Sequence, residues 1–136
     1  SSGWNTIKHE SFLTEVVGEF KRNNIRTSIF LNPEPKFIEN LHKIGTDRIE
    51  LYTEDYAVNY QQGNYSAIDP YVDCAKLLNQ LNIGVNAGHD LSLENIEFFK
   101  KKINNLLEVS IGHALITESL IMGLESVIKS YLQKLS

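Results

Sequence analysis

The chain has 136 residues, of which 42% are hydrophobic and 22% charged, and its formal net charge is −4. This length provides one domain with its own hydrophobic core, and the acidic balance argues against nucleic acid or an anionic membrane as the main partner. The one cysteine excludes an internal disulfide and a cysteine-based zinc cluster. No apolar run approaches the roughly 20 residues of a membrane span, and the opening SSGWN lacks the features of a signal peptide. We therefore expect a cytoplasmic protein.

Hydrophobic periodicity predicts an amphipathic helix followed by four strand and helix pairs. The first helix is predicted at residues 8–24. Strands are predicted at residues 25–31, 48–53, 83–88 and 107–111. Helices are predicted at residues 35–44, 68–81, 92–105 and 114–135. Residues 54–66 are polar and aromatic without a clear period, which favours an irregular binding loop or lid.

The alternation of strand and helix is typical of a parallel α/β fold. We expect the strands to be apolar on both faces, as parallel strands covered by helices usually are. Four such strands can form a small open sheet or half of an eight-stranded barrel, and composition does not distinguish these arrangements. Because a four-stranded parallel sheet with uncovered edges is a poor independent fold, the half barrel is favoured.

Two glycine and histidine pairs follow predicted strands at corresponding points. His89 lies in VNAGHDLS at 85–92, and His113 lies in LEVSIGHA at 107–114. The carboxyl ends of parallel strands meet at one rim, so we predict that the two pairs form one site. An imidazole with a pKa of about 6.5 can donate and accept protons, and the helix that follows each pair would favour an anion at its N-terminus. The alternative is that each histidine merely packs at a strand end.

Two glutamates lie within predicted strands. An ionised carboxylate is costly inside a strand unless it is paired or has a function. Glu50, in RIELYT at 48–53, would stabilise a developing cation or relay a proton if it points into the array, and would only meet a helix surface if it points outward. Glu108 lies earlier in its strand and is predicted to be structural. Cys74 lies in a helical pattern and is predicted to be a buried small hydrophobe rather than a nucleophile.

The polar neighbours of His89 have less specific predictions. Asn86 would orient His89 or contact a substrate. Asp90 is predicted to cap the next helix rather than to interact with His89, and Ser92 is a candidate N-cap of the same helix. A metal site built from His89, Asp90 and His113 is disfavoured because these residues lack a tight ligand spacing.

The motifs resemble the C-terminal half of the pyridoxine 5′-phosphate synthase family. The blocks VNAGH at 85–89, with Leu91 and Asn95, and SIGHALI at 110–116 carry this resemblance. SIFL at 28–31 resembles the fifth barrel strand of the family, and RIELYT resembles the sixth. The resemblance implies that residues 1–136 are the C-terminal half of a single (β/α)8 TIM barrel domain and supply about strands five to eight.

The family condenses 1-deoxy-D-xylulose 5-phosphate with 3-amino-2-oxopropyl phosphate in vitamin B6 biosynthesis, releasing phosphate and water without an organic cofactor. By motif position, His89 matches its general acid and Glu50 its transition-state-stabilising glutamate. Gly112 and His113 match residues that bind the amino-ketone phosphate. Asp90 stands where the family usually has a glycine whose backbone contacts the same substrate, so Asp90 is also a substrate-binding candidate.

The resemblance also implies what the chain lacks. The other general bases and the arginines of the family belong to strands one to four, so this chain should be inactive without the N-terminal half. Tyr52 and Glu54 stand where the family commonly has a histidine and a glycine. We also expect a homo-oligomer. Two alternatives stay open: another phosphate-binding barrel, such as a lyase or isomerase of one sugar phosphate, and a non-catalytic half barrel used for assembly through the apolar face of its last helix.

Overall fold

The computed structural model describes residues 2–136, so Ser1, the first residue of the SSGWN stretch, lies outside the described part. Four parallel strands form one sheet: β1 (Ser28–Leu31), β2 (Arg48–Tyr52), β3 (Gly84–Gly88) and β4 (Leu106–Ser110). The helices are α1 (Glu10–Arg22), α2 (Leu41–Ile44), α3 (Glu54–Gln61), α4 (Asp69–Gln80), α5 (Ile96–Lys102), α6 (His113–Met122) and α7 (Leu124–Leu135). Short 3-10 turns lie at Pro35–Phe37 and Tyr65–Ile68. From residue 2 onward, none of these helices has the length and apolar character needed to cross a membrane.

The strands are ordered in the sheet as they are in the chain, β1-β2-β3-β4. Ile49 of β2 pairs with Ile29 of β1 and with Val85 of β3. Parallel neighbours joined by right-handed crossovers place all their helices on one face of the sheet. A doubly wound sheet would have helices on both faces. The observed order is instead that of half a (β/α)8 barrel, as the sequence predicts.

The hydrophobic core lies between the sheet and its helices. Each strand directs alternate side chains to this face, and those that are fully buried there are Leu31, Ile49, Leu51, Val85 and Ala87. The other face, which would be the inside of a barrel, carries Phe30, Arg48, Glu50 and Tyr52, all partly exposed. The prediction that the strands are apolar on both faces is therefore wrong, because the inner face carries charged side chains, of which Arg48 pairs with Glu108 of β4.

Several segments differ from the sequence prediction, among them residues 35–44, which contain a 3-10 turn and the four-residue α2 instead of one helix. Residues 54–66, predicted to be irregular, contain α3, whose buried residues are Tyr56 and Ala57. An apolar face this narrow gives no helical period, which explains the error. The predicted single helix at 114–135 is divided into α6 and α7 by Gly123, whose φ of 83° is incompatible with a right-handed helix.

The cysteine has the environment predicted for it. Cys74 lies in α4 and has 0% exposure. Burial raises the pKa of its thiol to about 12, because the charged thiolate is poorly solvated there. Cys74 is thus a small apolar residue of the core.

Candidate active site

The loop after β3 places His89 at the rim of the sheet. The chain leaves Gly88 through two residues with left-handed backbone, His89 at φ 85° and Asp90 at φ 55°. This conformation is uncommon for residues other than glycine and persists only where the surroundings hold it. The strained turn therefore needs support from neighbouring elements.

Two buried polar side chains supply that support. The backbone N–H of Thr53 donates to the carbonyl of Gly88 at 3.0 Å, and its hydroxyl donates to the same oxygen at 2.7 Å. The side chain of Asn95 donates to the carbonyl of Asp90 at 3.2 Å and accepts from the N–H of Ser92 at 2.9 Å. Thr53 and Asn95 are 0% and 1% exposed. They hold the loop from both ends.

The imidazole of His89 lies against aromatic rings on the inner face of the sheet. The ring of Tyr52 meets it edge-on, with centroids 4.9 Å apart and an interplanar angle of 89°. The ring of Phe30 lies 5.8 Å away. The Oδ2 atom of Asp90 lies 3.5 Å from Nδ1 of His89. The carboxylate of Asp90 therefore lies on the Nδ1 side of the imidazole.

The predicted carboxylate, both histidines and Gly112 border one pocket. A cavity of about 310 Å³ is lined by Glu50, His89, Asp90, Ser110, Ile111, Gly112 and His113. Glu50 points from β2 to the inner face, the first of its two predicted orientations. Residues from the carboxyl ends of three consecutive strands therefore meet, as expected for parallel strands.

The second histidine begins a helix beside this pocket. Gly112 is the N-cap of α6 and His113 is its first residue, so the first N–H groups of α6 have no partner within the helix. A second cavity of about 320 Å³ shares Asp90, Gly112 and His113 with the first. A helix N-terminus that borders both cavities favours an anion.

The prediction of a helix directly after the other histidine is wrong. Helix α5 begins at Ile96, seven residues beyond His89 in the chain. Asp90 therefore does not cap it, and the hydroxyl of Ser92 accepts from the N–H of Glu94 within a turn instead. A helix N-terminus therefore lies at His113 and not at His89.

Glu108 and Asn86 belong to a polar network farther down the inner face. The carboxylate of Glu108 accepts from Arg26 at 3.0 and 3.2 Å and pairs with Arg48 at 2.8 Å. The side-chain amide of Asn86 donates to Glu108 at 2.9 Å. Hydrogen bonds from Arg26 and the positive charge of both arginines lower the pKa of Glu108. The structural interpretation of Glu108 is supported, and Asn86 contacts this network rather than His89.

Three residues that shape the site have no such role predicted from the sequence. Phe30 and Thr53 belong to the stretches SIFL and RIELYT, and Asn95 follows VNAGH, but these stretches do not predict contacts with the loop at His89. Their signal was weak: a polar residue directly after a strand, and an asparagine three positions after Ser92. Within residues 2–136, no group of three or more His, Cys, Asp or Glu side chains is arranged to hold a metal ion.

Comparisons with known proteins agree on one family. The model of the family described as "Pyridoxal phosphate biosynthesis protein PdxJ" matches residues 1–136. A pyridoxine 5′-phosphate synthase of Flavobacterium johnsoniae is 60% identical over 135 residues, which are 99% of this chain and 57% of the relative. One of Christiangramia forsetii is 56% identical over 98% of this chain and 56% of its own length. The chain thus spans a little over half the length of these relatives.

A solved structure shares the fold at low sequence identity. A chain in the crystal structure of the Amycolatopsis orientalis BexX/CysO complex superposes with a TM-score of 0.54 and 14% identity. The match covers 90% of this chain and 48% of that one. It supports the arrangement of strands and helices, and at this identity it carries no information about activity.

Proposed function

The chain belongs to the PdxJ family of pyridoxal phosphate biosynthesis proteins, and from this premise we propose that it supplies the C-terminal half of a pyridoxine 5′-phosphate synthase. The proposed reaction condenses 1-deoxy-D-xylulose 5-phosphate with 3-amino-2-oxopropyl phosphate. It closes the pyridine ring and releases phosphate and water, without an organic cofactor. The carrying observation is the meeting of Glu50, His89, Gly112 and His113 around one pocket at the carboxyl ends of β2 to β4.

His89 is the proposed general acid. Closing an aromatic ring by loss of water and phosphate requires protonation of oxygen leaving groups, and a positioned imidazole supplies such protons near neutral pH. The ring is held by Phe30 and Tyr52, and the carboxylate of Asp90 lies at Nδ1. This arrangement supports proton donation from Nε2 toward the pocket.

Glu50 is the proposed electrostatic partner of the reacting amine. Condensation of an amine with a ketone develops positive charge on nitrogen, and a carboxylate on the inner face stabilises it most when water is excluded. Glu50 is partly buried and lines the same cavity as His89. The position of Glu50 beside this cavity supports a role in stabilising the reacting amine rather than a role in the stability of the sheet.

Gly112 and His113 are proposed to bind the phosphate of the amino-ketone substrate. The unpaired N–H groups at the start of α6 supply donors and a favourable dipole. The carboxylate of Asp90 is turned toward His89, at 3.5 Å from Nδ1, so it need not face the phosphate. The backbone of Asp90 is the part proposed to contact the substrate.

Residues 1–136 are proposed to form the C-terminal half of one barrel domain. Among residues 2–136 the sheet ends at β1 and β4, with one backbone hydrogen bond from Trp4 to Phe30 at the outer edge of β1. The inner face exposes Glu108 with its arginine partners. Closure by four further strands would pair the edges and enclose these charges. We therefore propose that this chain has no turnover without the first half.

The proposal includes two further properties, the oligomeric state and the cellular location. Assembly into a homo-oligomer is supported by exposed apolar side chains on α6, where Leu120 and Ile121 are 83% and 88% exposed. A cytoplasmic location is consistent with a lone cysteine that persists as a buried thiol.

The test uses the full-length protein that carries these residues, assayed with both substrates. Glu50→Gln should lower kcat by about tenfold to a hundredfold with little change in KM, because it removes charge stabilisation that develops only in the transition state. Glu94→Gln is the matched control, since Glu94 is exposed and lines neither cavity. An effect on KM alone would contradict the role of Glu50.

The same assay separates the alternatives. A lyase or isomerase of one sugar phosphate would convert 1-deoxy-D-xylulose 5-phosphate without the amine. An assembly module would consume neither substrate. Stoichiometric formation of pyridoxine 5′-phosphate and inorganic phosphate from the pair supports the synthase.

A further inference from the structure

Two glycines of β3 lie beneath side chains of the neighbouring strand β2. In the parallel register, Arg48 is paired with Gly84, Glu50 with Asn86, and Tyr52 with Gly88. A Cβ atom on Gly84 would lie 2.9 Å from Cγ of Arg48. The side chains of β2 thus lean across β3 on the inner face of the sheet.

The tighter of these contacts involves Glu50. A Cβ atom on Gly88 would lie 2.1 Å from Oε1 and 3.1 Å from Cδ of Glu50. Glu50 therefore reaches past its own register partner, Asn86, toward the carboxyl end of the sheet. Its carboxylate occupies the space that a side chain at position 88 would fill.

Any side chain at position 88 would have to displace this carboxylate. A Cβ atom in a protein essentially never lies within 3.0 Å of a heavy atom to which it is not bonded through neighbouring residues. Toward the amino end of the sheet, Arg48 and Asn86 are already bound to Glu108, so a displaced Glu50 would leave the cavity and compete for those partners. The carboxylate of Glu50 thus lines the same cavity as His89 in space that position 88 leaves free.

We propose that Gly88 is a positioning residue whose absent side chain seats the carboxylate of Glu50 in the reaction pocket. This inference rests on the proposed function, because it acts through the role assigned to Glu50. Gly88 has an ordinary backbone conformation, since no positive φ occurs there. The requirement for glycine is one of space and not of backbone freedom.

A double-mutant cycle on the full-length protein tests this mechanism. Gly88→Ala should lower kcat by about tenfold or more when Glu50 is present, because small misplacements of a catalytic group are costly. In the Glu50→Gln background the same substitution should change kcat by less than about threefold, since the charge that it misplaces is already gone. The glutamine has nearly the same shape as glutamate, so the melting temperature should fall equally in both backgrounds.

Gly84→Ala is the matched control. It introduces a similar contact on the same strand but against Arg48 and Leu107, so it should lower the melting temperature and leave kcat within about twofold. Equal losses of kcat from Gly88→Ala in both backgrounds would overturn the positioning role. Unchanged turnover in Glu50→Gln alone would instead refute the proposed function, so the two failures are distinguishable.

A second pair of variants applies if Gly88→Ala does not fold. The other neighbour of the added atom is Cβ of Ser110, at 2.9 Å. Combining Gly88→Ala with Glu50→Ala should restore soluble, cooperatively melting protein, whereas combining it with Ser110→Gly should not. Any other pattern overturns the assignment of Glu50 as the group that excludes a side chain at position 88.

Discussion

Replacing Asn95 by alanine should loosen the loop that carries His89. The side chain is 1% exposed and makes hydrogen bonds of 3.2 Å to the carbonyl of Asp90 and 2.9 Å from the N–H of Ser92. At roughly 1 kcal/mol for each bond, the free energy of unfolding should fall by about 2 kcal/mol. In a full barrel of about 250 residues this corresponds to about 4–8 °C in melting temperature. Because the left-handed turn at His89 depends on this support, kcat should fall about tenfold to a hundredfold.

The assay compares melting temperature and synthase turnover for Asn95→Ala and a matched control, Asn79→Ala. Asn79 also makes two hydrogen bonds through its side chain, at 3.3 Å to the carbonyl of Asn104 and 3.2 Å from the side chain of Asn105, but it lies in a different part of the fold. The control should lose stability and keep its turnover. Equal losses of turnover in the two variants would refute the argument that Asn95 acts by placing His89.

Two further predictions concern the thiol and the acid response. Cys74 should not react with a thiol reagent such as 5,5′-dithiobis(2-nitrobenzoate) in the native protein, because burial raises the pKa of its thiol to about 12. It should react fully in denaturant. Rapid labelling of the native protein would contradict the buried position of Cys74. The pKa values of Asp47 and Glu108 are lowered, chiefly by hydrogen bonds from the backbone N–H of Thr27 and from Arg26 respectively. Because the pKa values of these two carboxyl groups are lower in the folded protein than in the unfolded chain, where they are about 4, their ionisation stabilises the fold above pH 4. The free energy of unfolding should therefore fall as the pH drops below about 4. A urea midpoint that is equal at pH 3 and pH 6 would contradict this.

The order of strands and helices could be predicted because it depends on hydrophobic periodicity. The predicted strands at 48–53 and 83–88 are short runs with alternating apolar residues between turns, and α1 has apolar residues at helical spacing. Hydrophobic periodicity did not predict α3, because its buried residues, Tyr56 and Ala57, are adjacent in the chain and give no helical repeat. Hydrophobic periodicity also did not predict the break between α6 and α7 at Gly123, since a single glycine in an apolar pattern does not reveal that its φ is 83°.

The meeting of the candidate residues at one rim could be predicted because they follow strands. His89, Gly112 and His113 lie at strand ends, and the rim of a parallel sheet brings such residues together. Asn95 acts through hydrogen bonds to backbone atoms, and the proposed role of Gly88 depends on the space that its missing Cβ atom leaves for Glu50. Neither effect leaves a pattern in the sequence, because each depends on neighbours that only the folded chain supplies.

The most direct test of the proposed synthase is the turnover of His89→Asn in the full-length protein. Asparagine tolerates the left-handed backbone that residue 89 adopts at φ 85°, and the side chain of His89 is 47% exposed, so the fold should be retained. Formation of pyridoxine 5′-phosphate from the two substrates should fall by about 10² to 10⁴, the usual contribution of a general acid, with an unchanged melting temperature. Turnover equal to that of the unsubstituted protein would contradict the proposal that His89 carries the ring closure.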